Sequence, residues 1–256
     1  EKAYKLMKAD ELSNALDIKG KKNKKEFLTI LDEMEDEGLI IRTKKKKYGV
    51  PERMNLVVGR LQSNKKGFGF IIPDAGIVVS DVYVSPENLN GAMHNDRVIA
   101  RMTKRSEEGL RNEGEIIRII KRGNKKVVGT FESSRNFGFV VPDDQKISQD
   151  IFIPKSETMG AREGYKVVVE IIQYPESRRN PEGRIIEILG HMDDVGIDIL
   201  SIIRKYDLPQ EFPQDVVNQT KSIPDAIKEE DKKNRRDLRD KRIFTIDGED
   251  AKDLDD

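Results

Sequence analysis

The sequence predicts a multidomain, mainly β chain: a small α+β head, two tandem copies of one five-stranded barrel, and the beginning of a further α+β domain. Three observations carry that expectation. The middle of the chain repeats itself, its apolar runs are short and punctuated by Gly, Pro and Asn, and helical spacing is confined to the two ends. At ~100 to 200 residues per domain, 256 residues accommodate two domains or more if they are small.

The head, residues 1–56, reads as two helices and a hairpin. Asn23 is placed to cap a helix with Glu26 answering it, and Phe27, Ile30, Leu31 and Met34 fall at i, i+3, i+4 and i+7 before Gly38 ends the run. A shorter helix over Glu11 to Asp17 precedes it. Leu39 to Arg42, then Thr43 to Lys47, then Tyr48 to Val50 read as strand, basic turn, strand. Helix, helix, hairpin is the winged helix-turn-helix pattern. Lys44, Lys45, Lys46 and Lys47 at the turn would contact nucleic-acid phosphates or form a solvated hairpin tip; charge alone does not choose.

The repeat fixes the next two domains, 57–125 and 126–190. At a constant offset of 69, Phe68 matches Phe137, Gly69 Gly138, Phe70 Phe139, Pro73 Pro142 and Asp81 Asp150, and the register continues through Val98 and Val167 to Gly114 and Gly183. In the first copy, Val57-Val58, Phe68 to Ile72, Val82 to Val84, Arg97 to Met102 and Glu115 to Ile120 are short alternating or apolar runs. Five such runs make a barrel of about five strands. Residues 191–256 change character: a helical stretch near Ile197 to Tyr206, prolines at 209, 213 and 224, a charged run from Glu229 to Arg242, and an apolar strand Ile243 to Ile246 leading into acid.

Lysine plus arginine and aspartate plus glutamate balance at 47 each, but residues 1–126 hold 27 basic against 19 acidic side chains. Such asymmetry points to a polyanion handled near the front. With no cysteine, disulfides, thiolate metal sites and cysteine nucleophiles are excluded. No apolar run approaches the ~20 residues of a membrane span, and EKAYKLMKADEL lacks a signal-peptide core. The expectation is a soluble cytoplasmic protein without membrane contact. Because it starts at Glu1 and stops at Asp256, the chain is expected to be a piece of something longer.

On a strand, Phe68 and Phe70 share one face, as do Phe137 and Phe139, and Tyr83 or Phe152 follows on another strand. Exposed rings would stack bases while Lys65 and Lys66 attract phosphates; buried rings would fill the barrel. Period two does not decide, but Gly69 and Gly138 leave the opposite face unfilled. Lys66-Gly67-Phe68-Gly69-Phe70 with Val82-Tyr83-Val84, and Phe137-Gly138-Phe139 with Ile151-Phe152-Ile153, resemble cold-shock domains. That resemblance implies OB-fold barrels whose aromatic strands bind RNA. There are departures: the chain has no Trp, and Ser85 and Pro154 stand where cold-shock proteins carry His. The second copy has Arg135-Asn136 in place of Lys66-Gly67, so base stacking is expected chiefly in the first.

The last ten residues, Asp247 to Asp256, pack six acids against Lys252. Like charges ~4 Å apart repel by ~4 kcal/mol at an effective dielectric of 20, which a hard divalent cation such as Mg²⁺ offsets. A solvated acidic loop is the alternative. An EF-hand fails, since its sixth position, counted from Asp247, is Lys252 rather than Gly.

Arg235-Arg236-Asp237-Leu238-Arg239-Asp240 followed by Thr245 to Asp256 resembles the opening of the catalytic domain in the ribonuclease II (RNB) family, ribonuclease R type. Gly196 to Leu200 and Leu208 to Pro213 share the likeness. It implies a truncated RNB domain over 191–256, Mg²⁺ held by Asp247, Asp253, Asp255 and Asp256, and Asp255 as a catalytic residue. It also implies processive 3′→5′ hydrolysis of RNA from single-stranded 3′ ends to nucleoside 5′-monophosphates, with this chain by itself catalytically incomplete. Two other readings remain: a non-catalytic tandem cold-shock module that binds or remodels RNA, and a transcription regulator reading duplex DNA through the winged helix.

Overall fold

In the computed structural model, residues 5–75, 80–105, 111–176, 179–246, 248, 249 and 252 are described. The chain forms two compact units, Glu1–Leu208 and Pro209–Asp256.

The first unit opens with β1 (Met7–Lys8), α1 (Ala9–Ala15), α2 (Lys21–Asp36), β2 (Ile41–Arg42) and β3 (Lys47–Gly49), the strands forming a sheet ordered β1-β3-β2. The helix expected from Asn23 starts earlier. Gly20, at φ +87°, turns the chain into α2, so Asn23 lies inside the first turn rather than at the cap. Lysines at 21 and 22 extend the helix readily because long unbranched side chains lose little freedom there. Of the expected apolar stripe Leu31 is buried, whereas Ile30 is 45% exposed; the buried neighbour is instead Glu35. Its carboxylate takes the Arg42 guanidinium at 3.1 Å and that of Arg118, from the first barrel, at 2.8 Å. Gly38, at φ +73°, sits so close to the first barrel that a Cβ would meet Ile120 Cδ1 at 2.6 Å.

The first barrel closes in the order β4-β5-β6-β8-β7, from β4 (Leu56–Ser63), β5 (Gly69–Pro73), β6 (Val82–Val84), β7 (Arg97–Lys104) and β8 (Asn112–Lys121). The second repeats that order with β9 (Lys126–Ser133), β10 (Phe137–Pro142), β11 (Ile151–Pro154), β12 (Tyr165–Gln173) and β13 (Glu182–His191). The mainly β class and the paired five-stranded barrels therefore stand as the sequence indicated. Each interior is aliphatic: Leu61, Ile71, Val82, Val84 and Val98 are 0% exposed in one, Val140, Ile151, Ile153, Val167 and Val169 in the other.

The matching register reveals what a single offset hid. On β4 and β9 the equivalent residues are 70 apart: Gly59 pairs Pro73 as Gly129 pairs Pro142, and Leu61 pairs Ile71 as Phe131 pairs Val140. Beyond the turn the offset is 69, because the second turn is one residue shorter. Helix α3 (Ile197–Lys205) packs against β9, β12 and β13, so this stretch belongs to the same compact unit as the barrels.

A buried carboxylate lies at the junction of the barrels. Asp96, 0% exposed, accepts the backbone N–H groups of Met93 at 2.9 Å and Gly123 at 2.8 Å, and the Arg122 guanidinium at 2.8 Å. Arg122 also donates to the Gly91 carbonyl at 2.8 Å and stacks 3.9 Å above the Tyr174 ring of the second barrel. Met93, although it lies in the first copy, is buried in the second barrel's core.

The second unit contributes α4 (Gln214–Ser222) and α5 (Glu229–Lys232). Ile243 to Ile246, expected as a strand, is not one; Ile243, Phe244 and Ile246 are 66%, 74% and 83% exposed. A strand needs a neighbour to complete its ladder, and this unit has no strand among its described residues. Among the described residues no helix is long and apolar enough to cross a membrane.

Candidate nucleic-acid interface

Strand pairing decides where the rings go. Phe70 on β5 lies opposite Tyr83 on β6, and Phe139 on β10 lies opposite Phe152 on β11. Ile71, Val82 and Val84 alternate with these rings and point inward, which forces the rings outward. Each barrel thus carries a triad. Phe68, Phe70 and Tyr83 have centroids 5.6 to 5.8 Å apart, and Phe137, Phe139 and Phe152 likewise 5.6 to 5.8 Å. None belongs to a core cluster; five are half-buried and Phe137 is 38% exposed. Edge-to-face packing orients each patch while leaving ring surface open to solvent.

The interleaved glycines act differently from the sequence expectation. Gly69 and Gly138 do not leave the inner face unfilled: a Cβ on Gly69 would meet Leu61 Cδ1 at 2.7 Å, and one on Gly138 would collide with the Phe131 ring. Their missing side chains admit those larger residues from the neighbouring strand.

Lys65 and Lys66 are exposed on the turn ahead of Phe68. Asn64 shapes that turn, its Oδ1 accepting the Lys66 N–H at 3.0 Å and its carbonyl the Gly67 N–H at 2.9 Å, with Gly67 at φ +85°. The shorter second turn lacks both lysines and carries exposed Arg135. Opposite the central phenylalanine stands Gln62 in the first barrel and Glu132 in the second. The first face is thus the less acidic.

A further cation escaped the sequence reading. The guanidinium of Arg111 lies 4.3 Å from the Tyr83 centroid and 5.9 Å from that of Phe70. Nothing local in the sequence marks it, because the contact depends on β8 running parallel to β6.

At the head, Lys44, Lys45 and Lys46 are exposed on the turn between β2 and β3, while Lys47 lies half-buried on β3 itself. Asp247, Asp253, Asp255 and Asp256 lie outside the described residues. Among the described residues no group of three or more His, Asp or Glu side chains is arranged to hold a metal ion.

Two closed five-stranded barrels, each bearing an outward aromatic triad on equivalent strands, define a tandem OB-fold protein. The ribonuclease B OB domain profile matches residues 59–119, and the cold shock domain profile matches 139–213. Ribonuclease R of Thermotoga maritima is 39% identical over 99% of this chain and 35% of its own length; that of Escherichia coli is 36% identical over 96% and 30%. The chain belongs to the ribonuclease R family, and it spans about a third of the length of these curated relatives. The same fold occurs in the apo form of Mycoplasma genitalium RNase R, at a TM-score of 0.57 and 21% identity over 66% of this chain and 27% of that one. It also occurs in a yeast pseudonuclease, at 0.51 and 20% over 64% and 27%.

Proposed function

We propose that the chain is the RNA-binding part of a cytoplasmic, magnesium-dependent exoribonuclease that processively removes nucleoside 5′-monophosphates from RNA 3′ ends. The observation that carries the reading is the pair of outward ring triads. Each open ring stacks a base for ~1 to 3 kcal/mol irrespective of sequence, while Lys65, Lys66 and Arg111 draw in phosphates. RNA binding is also what is recorded for one M. genitalium RNase R structure, a complex with ribose methylated single-stranded RNA. The head, read as a winged helix over 1–56, adds a basic tip at Lys44, Lys45 and Lys46.

The acids beyond Ile246 supply the chemistry. Asp247, Asp253, Asp255 and Asp256 offer only hard carboxylate oxygens, the donor set that suits Mg²⁺. Bound there, magnesium would lower the pKa of an attacking water and stabilise the leaving oxygen. In this reading the carboxylates act on the 3′ end of the RNA, and the barrels bind the strand.

Because the fold also serves a pseudonuclease, the catalytic part needs its own test. In a chain spanning the full length of the relatives, Asp255→Asn should cut mononucleotide release by orders of magnitude, several kcal/mol of transition-state stabilisation being lost. RNA affinity at fixed salt should hold. Near-normal release at saturating Mg²⁺ would place Asp255 outside the site.

A further inference from the structure

We infer that the second barrel carries a base-reading pocket that selects guanine, through the Glu182 carboxylate and the Gln173 amide beside its outward rings. The inference rests on the reading that the triads stack RNA bases, and adds which base the second triad takes. A cleft of about 820 Å³ opens against that triad, with Phe139, Phe152, Gln173, Asn180 and Glu182 in its walls.

Strand pairing builds the site. Phe139 on β10 lies opposite Phe152 on β11, Phe152 opposite Glu182 on β13, and Glu182 opposite Gln173 on β12. Gly183, next along β13, faces the interior, where a Cβ would collide with Val169, so Glu182 turns outward with the rings. Adjacent strands are ~4.8 Å apart, and a base stacked on Phe152 therefore brings its edge within reach of the carboxylate one strand away. Arg184, two residues further along β13, is taken by Glu170 at 2.6 Å, and no ion pair holds Glu182 among the described residues.

The two barrels differ around this carboxylate. Tyr83 lies opposite Glu113 in the first as Phe152 lies opposite Glu182 in the second. The strand partner of Glu113 is Lys104, where that of Glu182 is Gln173, and Arg111 stands where the second barrel has Asn180. The same ring and carboxylate are thus flanked by cations in one barrel and by amides in the other. Cations take phosphates and position a strand, whereas amides and carboxylates hydrogen-bond base edges and read it.

The donor pattern selects the base. An ionised carboxylate only accepts, and of the four bases guanine alone sets two N–H donors side by side, at N1 and at the N2 amine. Its O6, next along that edge, accepts from an amide N–H such as that of Gln173. Adenine and cytosine place an acceptor nitrogen beside their amine, and uracil flanks its single N–H with carbonyls, so each turns a lone pair toward the carboxylate.

The test uses the chain carrying Phe68→Ala and Tyr83→Ala, which leaves the second triad as the intact one, and follows fluorescence anisotropy of single-stranded RNAs of about 8 nucleotides. An all-uridine strand is set against strands in which alternate uridines are replaced by guanosine, cytidine or adenosine. The guanosine strand should bind at least about fivefold tighter than the uridine strand, the low end for one bidentate contact. That margin should persist from about 50 to 200 mM salt, because base-edge hydrogen bonds release no counterions. In Glu182→Gln the preference should pass to adenosine, whose edge pairs with the donor and acceptor of an amide. Gln173→Ala should narrow the guanosine margin without moving it to another base. Equal affinity for all four strands, or a guanosine preference that survives Glu182→Gln, would overturn the pocket while leaving base stacking in place. Binding of no strand would instead remove the second triad from base stacking, and the inference with it. Competition by guanosine 5′-monophosphate as strong as by the guanosine strand would assign the pocket to a free nucleotide and likewise overturn it.

Discussion

The Arg111 guanidinium covers the Tyr83 ring at 4.3 Å, so the first aromatic face carries its own cation at stacking distance. The equivalent position of the second barrel, 69 residues on, is Asn180. Such a contact is worth about 0.5 to 1 kcal/mol at an exposed site, and the same group is free to meet a phosphate. Arg111→Ala should weaken single-stranded RNA binding about three- to tenfold and lower the salt slope by about 0.7, as one lost phosphate contact requires. Arg111→Lys should recover the slope more than the affinity. Anisotropy titrations at several salt concentrations check both, and an unaltered slope in the alanine variant would leave Arg111 without a phosphate contact.

Gly138→Ala tests why glycine separates the two rings of the second triad. The added methyl would run into Phe131, which is 2% exposed at the centre of the core. Overpacking of this kind costs about 1 to 3 kcal/mol. A denaturant midpoint shifted downward is expected, and an unshifted midpoint would show that Phe131 has room to withdraw.

Asp96→Asn removes the charge from the junction while keeping its shape. Arg122 would then face a neutral amide, and breaking a buried pair by removing one partner costs about 3 to 5 kcal/mol. The lower end applies, because Arg122 is 25% exposed at its side chain. Thermal unfolding should show a lower or split transition, since the clamp fixes one barrel to the other. A single transition at the wild-type temperature would deny the clamp that role.

His94 gives the same junction a pH dependence. Burial holds its imidazole below the ordinary value, with Lys146 and Lys205 acting in the same direction and Asp144 and Asp96 opposing. Its Nδ1 accepts the Ser63 N–H at 3.2 Å, a bond the protonated ring cannot make. The folded pKa lies below the unfolded one, so the contribution is complete above about pH 6.5 and is lost as pH falls through that value towards the folded pKa. Melting temperature should therefore drop between pH 7.5 and 5.5 more in the wild type than in His94→Asn. Equal drops would remove His94 from the account.

Much of this was legible in the residues, and the misses share one cause. Phe-Gly-Phe alternation and the 69-residue repeat locate both aromatic strands, since local period and spacing survive folding. Whether the rings face in or out was not legible: it depends on Leu61 and Phe131 filling the space above Gly69 and Gly138 from another strand. Arg111 was likewise invisible, being brought to Tyr83 by a parallel pairing between β6 and β8. The helix start at Gly20 rather than Asn23 turned on a backbone angle. The acidic residues Asp247, Asp253, Asp255 and Asp256 remain the part read from sequence alone.

The central claim is that the ring triads take up RNA bases directly. Aromatic NMR spectra of the chain, with phenylalanine and tyrosine rings labelled and single-stranded RNA of about 16 nucleotides titrated in, measure that contact ring by ring. Stacked bases should shift the Phe68, Phe70 and Tyr83 resonances upfield as the RNA saturates, with smaller changes at Phe137, Phe139 and Phe152, while buried Phe131 stays in place. Saturable binding seen by anisotropy with all six surface rings unmoved would contradict the account.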